Sequence, residues 1–271
     1  MNGERVEQIL SVLYISCAIL SVMSLTCLVT AWQYWAWTLD VCISVDCDCI
    51  LYSVNTFSTF MGGDIKFCYF GVYGLSPAIL FGLCLGGYHG YRVCINKNLD
   101  TPVRIYDDIS RNLNSNGEVV AAVMIRPKRR IPYNQWIPIM FLTILLCCLS
   151  LAHAVVITDG YYKTCNQYRK RLIQLLDSTG REAEVVHNRL SCGAIFDFMD
   201  YLQTDVNNWK HGKEAHTGFT LQFAIISTWF NFFAWTFATL LNIIMAHIFL
   251  HWPNIEQCVI LLLDTVIYCS P

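Results

Sequence analysis

Apolar residues fill four long stretches of this chain without the alternation of a half-buried strand. They run over residues 8–39, 67–91, 131–158 and 217–255, and none contains Asp, Glu, Lys or Arg. Each exceeds the roughly 20 residues needed to cross about 30 Å of hydrocarbon. Without water a crossing segment must satisfy its backbone hydrogen bonds internally, so each is expected to be a helix. The predicted fold class is an all-α membrane protein: a four-transmembrane-helix bundle with a disulfide-stapled extracellular cap of mixed α/β content. The expected limits are a first helix at 9–32, an outer loop at 33–66 and a second helix at 67–91. A cytosolic loop at 92–134, a third helix at 135–158 and an outer loop at 159–216 follow. The fourth helix is placed at 217–250 and a cytosolic tail at 251–271.

The polar segments add local detail. Cys49 to Phe60 is rich in β-branched and aromatic residues and meets Gly62-Gly63, the pattern of a strand followed by a turn. Tyr168, Leu172, Leu175 and Leu176 share one helical face, and Ser178-Thr-Gly should end that helix. A second helical stretch is expected over 194–202. The centre of the cytosolic loop, with Asn112, Asn114, Ser115, Asn116 and Gly117, is expected to be mobile. Trp32, Tyr34, Trp35 and Trp37 would form an aromatic belt at the outer end of the first helix. Tyr88, Tyr91, Tyr133, Trp136, Tyr161, Tyr162 and Trp252 would mark the other helix ends. Pro77 removes a backbone donor and should kink the second helix.

Charge sets the expected orientation. Residues 92–134 carry eight bases against four acids, whereas the first outer loop has Lys66 as its sole base and Asp40, Asp46, Asp48 and Asp64. The positive-inside rule puts 92–134 and both termini in the cytosol. Arg126-Pro-Lys-Arg-Arg130 abuts the third helix as a topology anchor or an anionic-lipid contact. With 14% charged residues in 271 and a net charge of -2, nothing suggests nucleic acid as a partner. Membrane lipids are the expected surroundings.

Fourteen cysteines divide by side. Cys42, Cys47, Cys49, Cys68, Cys165 and Cys192 fall on the outer side, where an oxidising compartment favours disulfides. Cys49–Cys68 and Cys165–Cys192 are the preferred pairs, each closing one loop, and Cys42 and Cys47 would then form a short-range pair. Cys94, Cys258 and Cys269 sit where S-acylation occurs, or are inert thiols.

Inside the helices, Gly82, Gly86 and Gly90 recur every four residues on one face. Such faces permit close helix packing, within the chain or against a partner. Gln222, Asn231 and Asn242 are amides in an apolar helix and should hydrogen-bond to a neighbouring helix or a partner. His153 is expected to be satisfied by a neighbour. His247 and His251 have a zinc-compatible spacing, and Cys47 and Cys49 offer a C-x-C pair. Neither has the further ligands or spacing that would make it a site, so no metal, cofactor or enzymatic activity is expected.

Several segments are similar to the transmembrane protein 179 family of four-helix membrane proteins. They are Cys49-Ile-Leu-Tyr, Cys68-Tyr-Phe, Gly87-Tyr-His-Gly-Tyr-Arg92, the pair Cys165 and Cys192, and Gln222-Phe-Ala-Ile-Ile-Ser-Thr-Trp-Phe-Asn-Phe-Phe-Ala-Trp235. Cys42 and Cys47 have no counterpart in that pattern, and the cytosolic and second outer loops are longer here. The resemblance implies a multi-pass membrane protein in a neuronal setting and assigns no activity. The claudin and channel-auxiliary group shares the layout, but its W-x-L-W-x-x-C signature is missing. The functional expectation is an accessory subunit of a larger channel or receptor, at the plasma membrane. The alternatives are a self-associating adhesion or membrane-organising protein and an oligomeric channel or transporter.

Overall fold

The computed structural model describes residues 3–38, 49–56, 60–94, 103–105, 124–126, 136–175, 177, 180–197 and 216–251. Seven helices and four strands lie among them. They are α1 (Gly3–Thr38), β1 (Cys49–Asn55), β2 (Phe60–Gly63), α2 (Ile65–Tyr73) and α3 (Ser76–Cys94). After these come β3 (Val103–Ile105), β4 (Met124–Arg126), α4 (Trp136–Leu175), α5 (Arg181–Arg189), α6 (Cys192–Asp197) and α7 (Thr217–His251). Four helical segments are long and apolar enough to cross a membrane: Arg5–Ala36, Ile65–Cys94, Trp136–Gln174 and Thr217–Ile248. The helices extend well past the limits expected from composition at several ends.

The second segment breaks rather than bends. α2 ends at Tyr73, the Gly74 amide bonds back to the Phe70 carbonyl at 2.8 Å, and α3 starts afresh at Ser76. Pro77 therefore lies in the first turn of a new helix, where its missing N–H costs nothing. The expected kink within one helix is replaced by two helices. The third segment departs in the opposite sense. α4 is one helix of 40 residues, so the helical pattern expected at the start of the second outer loop is its direct continuation. Its break comes at Asp177 and Gly180, both in the left-handed region with φ of 47° and 62°.

α1 packs along both α3 and α7, and α7 packs along α4. Two apolar clusters result. One, at the cap end, gathers Leu28, Trp35, Ile50, Ile157, Phe196 and Leu221. The other, at the far end, gathers Leu10, Tyr14, Leu75, Leu146, Trp136 and Trp235. Trp35, expected at an interface belt, is instead 1% exposed with its ring edge against Phe196. Tyr161 and Trp136 are likewise buried, whereas Tyr88, Tyr91 and Tyr162 are exposed.

β1 and β2 form an antiparallel hairpin with Cys49 opposite Gly63 and Asn55 opposite Phe60. Gly63 is thus a strand residue and not part of a turn. A Cβ there would stand 1.9 Å from the Leu51 carbonyl oxygen, so only glycine lets the two strands approach this closely. β3 and β4 pair as a second antiparallel hairpin, unexpected from the sequence. The expectations for Asn112, Asn114, Ser115, Asn116, Gly117, Tyr133, Leu176, Trp252 and residues 127–130 and 198–202 lie outside the described residues.

Candidate functional site

The cap is built on the end of α4 that projects past its apolar span. The Thr164 hydroxyl donates to the Ile50 carbonyl at 2.9 Å and accepts from the Ser53 amide at 3.1 Å, so one buried side chain fixes β1 to the helix. Farther out, the Asn55 amide donates to Gln174 at 3.0 Å. Tyr52 takes φ 60° at the irregularity in the strand register. That backbone turns its ring over Gly160, where an added Cβ would meet the ring at 2.9 Å. The ring also stacks on Phe67 at 4.2 Å and lies under the Lys163 ammonium at 4.9 Å. Lys163 pairs with Asp159 at 2.9 Å. Burial, together with the hydrogen bond to the Asp159 carboxylate, pushes the Tyr52 hydroxyl up to about 12.

Two disulfides hold this arrangement. Cys49–Cys68 joins β1 to α2 across a separation of 19 residues, and Cys165–Cys192 joins α4 to α6 across 27. They are the two preferred pairs, each closing one loop. Cys42 and Cys47 lie outside the described residues. α6 is then seated on α7: the Thr217 hydroxyl donates to the Phe196 carbonyl at 2.7 Å, and the Gly218 amide donates to Asp197 at 2.9 Å. The backbones meet at Gly193 and Gly218, where a Cβ on Gly218 would lie 2.1 Å from the Gly193 oxygen. Neither glycine belongs to a recurrent face, so the sequence offered no periodicity by which to single them out.

The helix-packing candidates are engaged inside the chain. Cβ atoms at Gly82, Gly86 and Gly90 would stand 3.0, 2.8 and 3.1 Å from Tyr14, Ile15 and Ser11. That face is occupied by α1, and the Ser11 hydroxyl donates to the Gly86 carbonyl at 2.9 Å. Asn242 donates to the Tyr14 hydroxyl at 2.6 Å, Asn231 to Ser150 at 3.5 Å and Gln222 to Tyr161 at 3.3 Å. Asn231 and Asn242 are fully buried within the chain. The His153 Nε2 meets the Gly71 carbonyl at 2.8 Å.

At the far end, Glu7 and Arg92 form an ion pair at 3.6 Å, and both are largely buried. Arg92 also donates to the Tyr88 hydroxyl at 3.2 Å. Loop-charge counting treated Arg92 as a topology charge; its place is between α1 and α3. An acid 85 residues away is invisible to charge counting within loops.

The Cys94 thiol is exposed at the last residue of α3, while Cys258 and Cys269 lie outside the described residues. His247 is exposed, the His251 side chain lies outside the described residues, and the described residues contain no cluster of three metal-ligating side chains. The fold defines a class, a helical chain with four segments long and apolar enough to cross a membrane and a doubly stapled cap. No family model, curated protein or solved structure matches the chain.

Proposed function

We propose that the chain is a non-enzymatic multi-pass membrane protein acting as an accessory subunit of a larger channel or receptor, which it meets through its stapled cap. The observation that carries this reading is how the polar and glycine groups are used. Gly82, Gly86, Gly90, Gln222, Asn231 and Asn242 all make contacts within the chain. The expected glycine and amide interfaces are therefore taken, and the cap is left as the surface with specific shape. A cap fixed by two disulfides and by Thr164 presents that surface with little ordering cost on association.

In this reading the disulfides put the cap on the oxidising side. The termini and the exposed Cys94 are then cytosolic, and the plasma membrane is the destination. The likeness to the transmembrane protein 179 family accords with this reading and adds no activity to it.

Affinity purification of the tagged protein from native membranes in mild detergent, with mass spectrometry of the eluate, tests the reading. A stoichiometric larger membrane protein, lost when the cap disulfides are reduced, is expected. Free monomer alone counts against it. Labelling Cys94 with a membrane-impermeant maleimide tests the orientation. Reaction in permeabilised cells alone is expected, and reaction in intact cells reverses it.

A further inference from the structure

Halfway along the bundle, buried polar positions fall near one level on three helices. On α1, Ser21 and Ser24 separate Cys17 from Leu28. On α7, Ser227, Thr228 and Asn231 separate Ala224 from Trp235. On α4, Ser150 and His153 separate Leu146 from Ala154. The levels are matched by contacts. Tyr14 meets Asn242 and Trp235; toward the cap, Ser21 lies about two turns beyond Tyr14 on α1, and Asn231 lies about one turn beyond Trp235 on antiparallel α7. Asn231 bonds to Ser150, one turn from His153. His153 in turn bonds to Gly71, and Gly71 abuts Leu28, one turn beyond Ser24. The two apolar clusters lie on either side of this layer.

The layer carries polar atoms without protein partners. They are the hydroxyls of Ser21 and Ser24, Oδ1 of Asn231 and Nδ1 of His153, all on fully buried side chains. Helical Ser and Thr in apolar surroundings usually bond back to their own backbone. Ser16, Thr26, Thr30 and Thr158 do so. Ser21 and Ser24 do not, so their hydroxyls are available to something else.

We propose that this layer is an internal water-binding site, in which water joins Ser21, Ser24, Asn231 and His153 across α1, α7 and α4. A buried water makes about three hydrogen bonds to otherwise unsatisfied groups, and the layer supplies both donors and acceptors. A bare cation is the poorer occupant. The four groups are formally neutral, and a cation held in a low-dielectric interior without a countercharge is strongly disfavoured.

The sign of a stability change tests the site. If water bridges the layer, Ser21→Ala and Ser24→Ala each remove a hydrogen-bond partner, and the thermal midpoint of the detergent-solubilised protein should fall by roughly 2–4 °C. If the layer is dry, each removes an unsatisfied hydroxyl and the midpoint rises, which overturns the proposal. Time-resolved radiolytic labelling of the unmodified protein in isotopically heavy water is independent of whether the variants fold. Rapid oxygen incorporation in the buried α1 segment around 21–24 is expected, and protection like that of the apolar clusters overturns the proposal. A midpoint that falls when sodium chloride is replaced by choline chloride would assign the layer to a cation instead.

Discussion

The cap half and the far half of this bundle are secured by different means. At the cap end, two disulfides and side-chain bonds from Thr164, Thr217 and Asp197 tie short elements onto helix ends. At the far end no such staple is seen among the described residues. There α3 lies on α1 through three glycines, and a buried ion pair closes the end. Short elements with little apolar area need covalent or directional restraint. Long helices gain enough from close backbone approach. The contrast predicts that reductant loosens one half and leaves the other.

The largest expected break is at the far end. Arg92→Leu removes the cation paired with the largely buried Glu7 carboxylate and should cost about 3–5 kcal/mol, read from unfolding in mild detergent. Adding Glu7→Gln should restore much of it. At the cap, Cys165→Ser should cost about 2–5 kcal/mol. Limited proteolysis should then cut near α5 and α6 first, while the glycine-packed α1–α3 region stays protected. Early cutting in α1 or α3 would mean that the halves are not separable.

Asn242→Leu removes the bond to Tyr14 and should cost about 0.6–2 kcal/mol, again by thermal unfolding. Tyr52 gives the smallest effect, and its sign follows from its raised value. The unfolded hydroxyl ionises near pH 10, but the folded one holds its proton up to about 12. Its contribution is therefore complete below about pH 10 and is lost as pH rises through about 12. Comparing the alkaline absorbance titration of the native protein with that of Tyr52→Phe should reveal one late-titrating tyrosine.

Much of this arrangement was legible in the residues, and the exceptions share a cause. Uninterrupted apolar runs identify helices because lipid admits little else. Paired cysteines identify staples because loop closure is local. The reach of α4 to Leu175 was hidden because the helix leaves apolar sequence for amphipathic sequence without a breaker, so composition marks a border the backbone does not observe. Trp35 and Tyr161 resemble belt residues in sequence, yet the cap covers them with Phe196. The Gly193–Gly218 contact and the Glu7–Arg92 pair join distant segments, and local patterns carry no record of such meetings. The amides were recognised as groups needing partners, while which partners they chose depended on helix order.

The uninterrupted course of α4 has a practical consequence. At 1.5 Å per residue its 40 residues span about 60 Å, roughly twice the hydrocarbon thickness. A rigid antibody fragment clamped on its projecting end would share one axis with the buried part of the same rod. It would serve as a fiducial for imaging a 31.0 kDa chain, and the tilt it reported would be the tilt of the bundle.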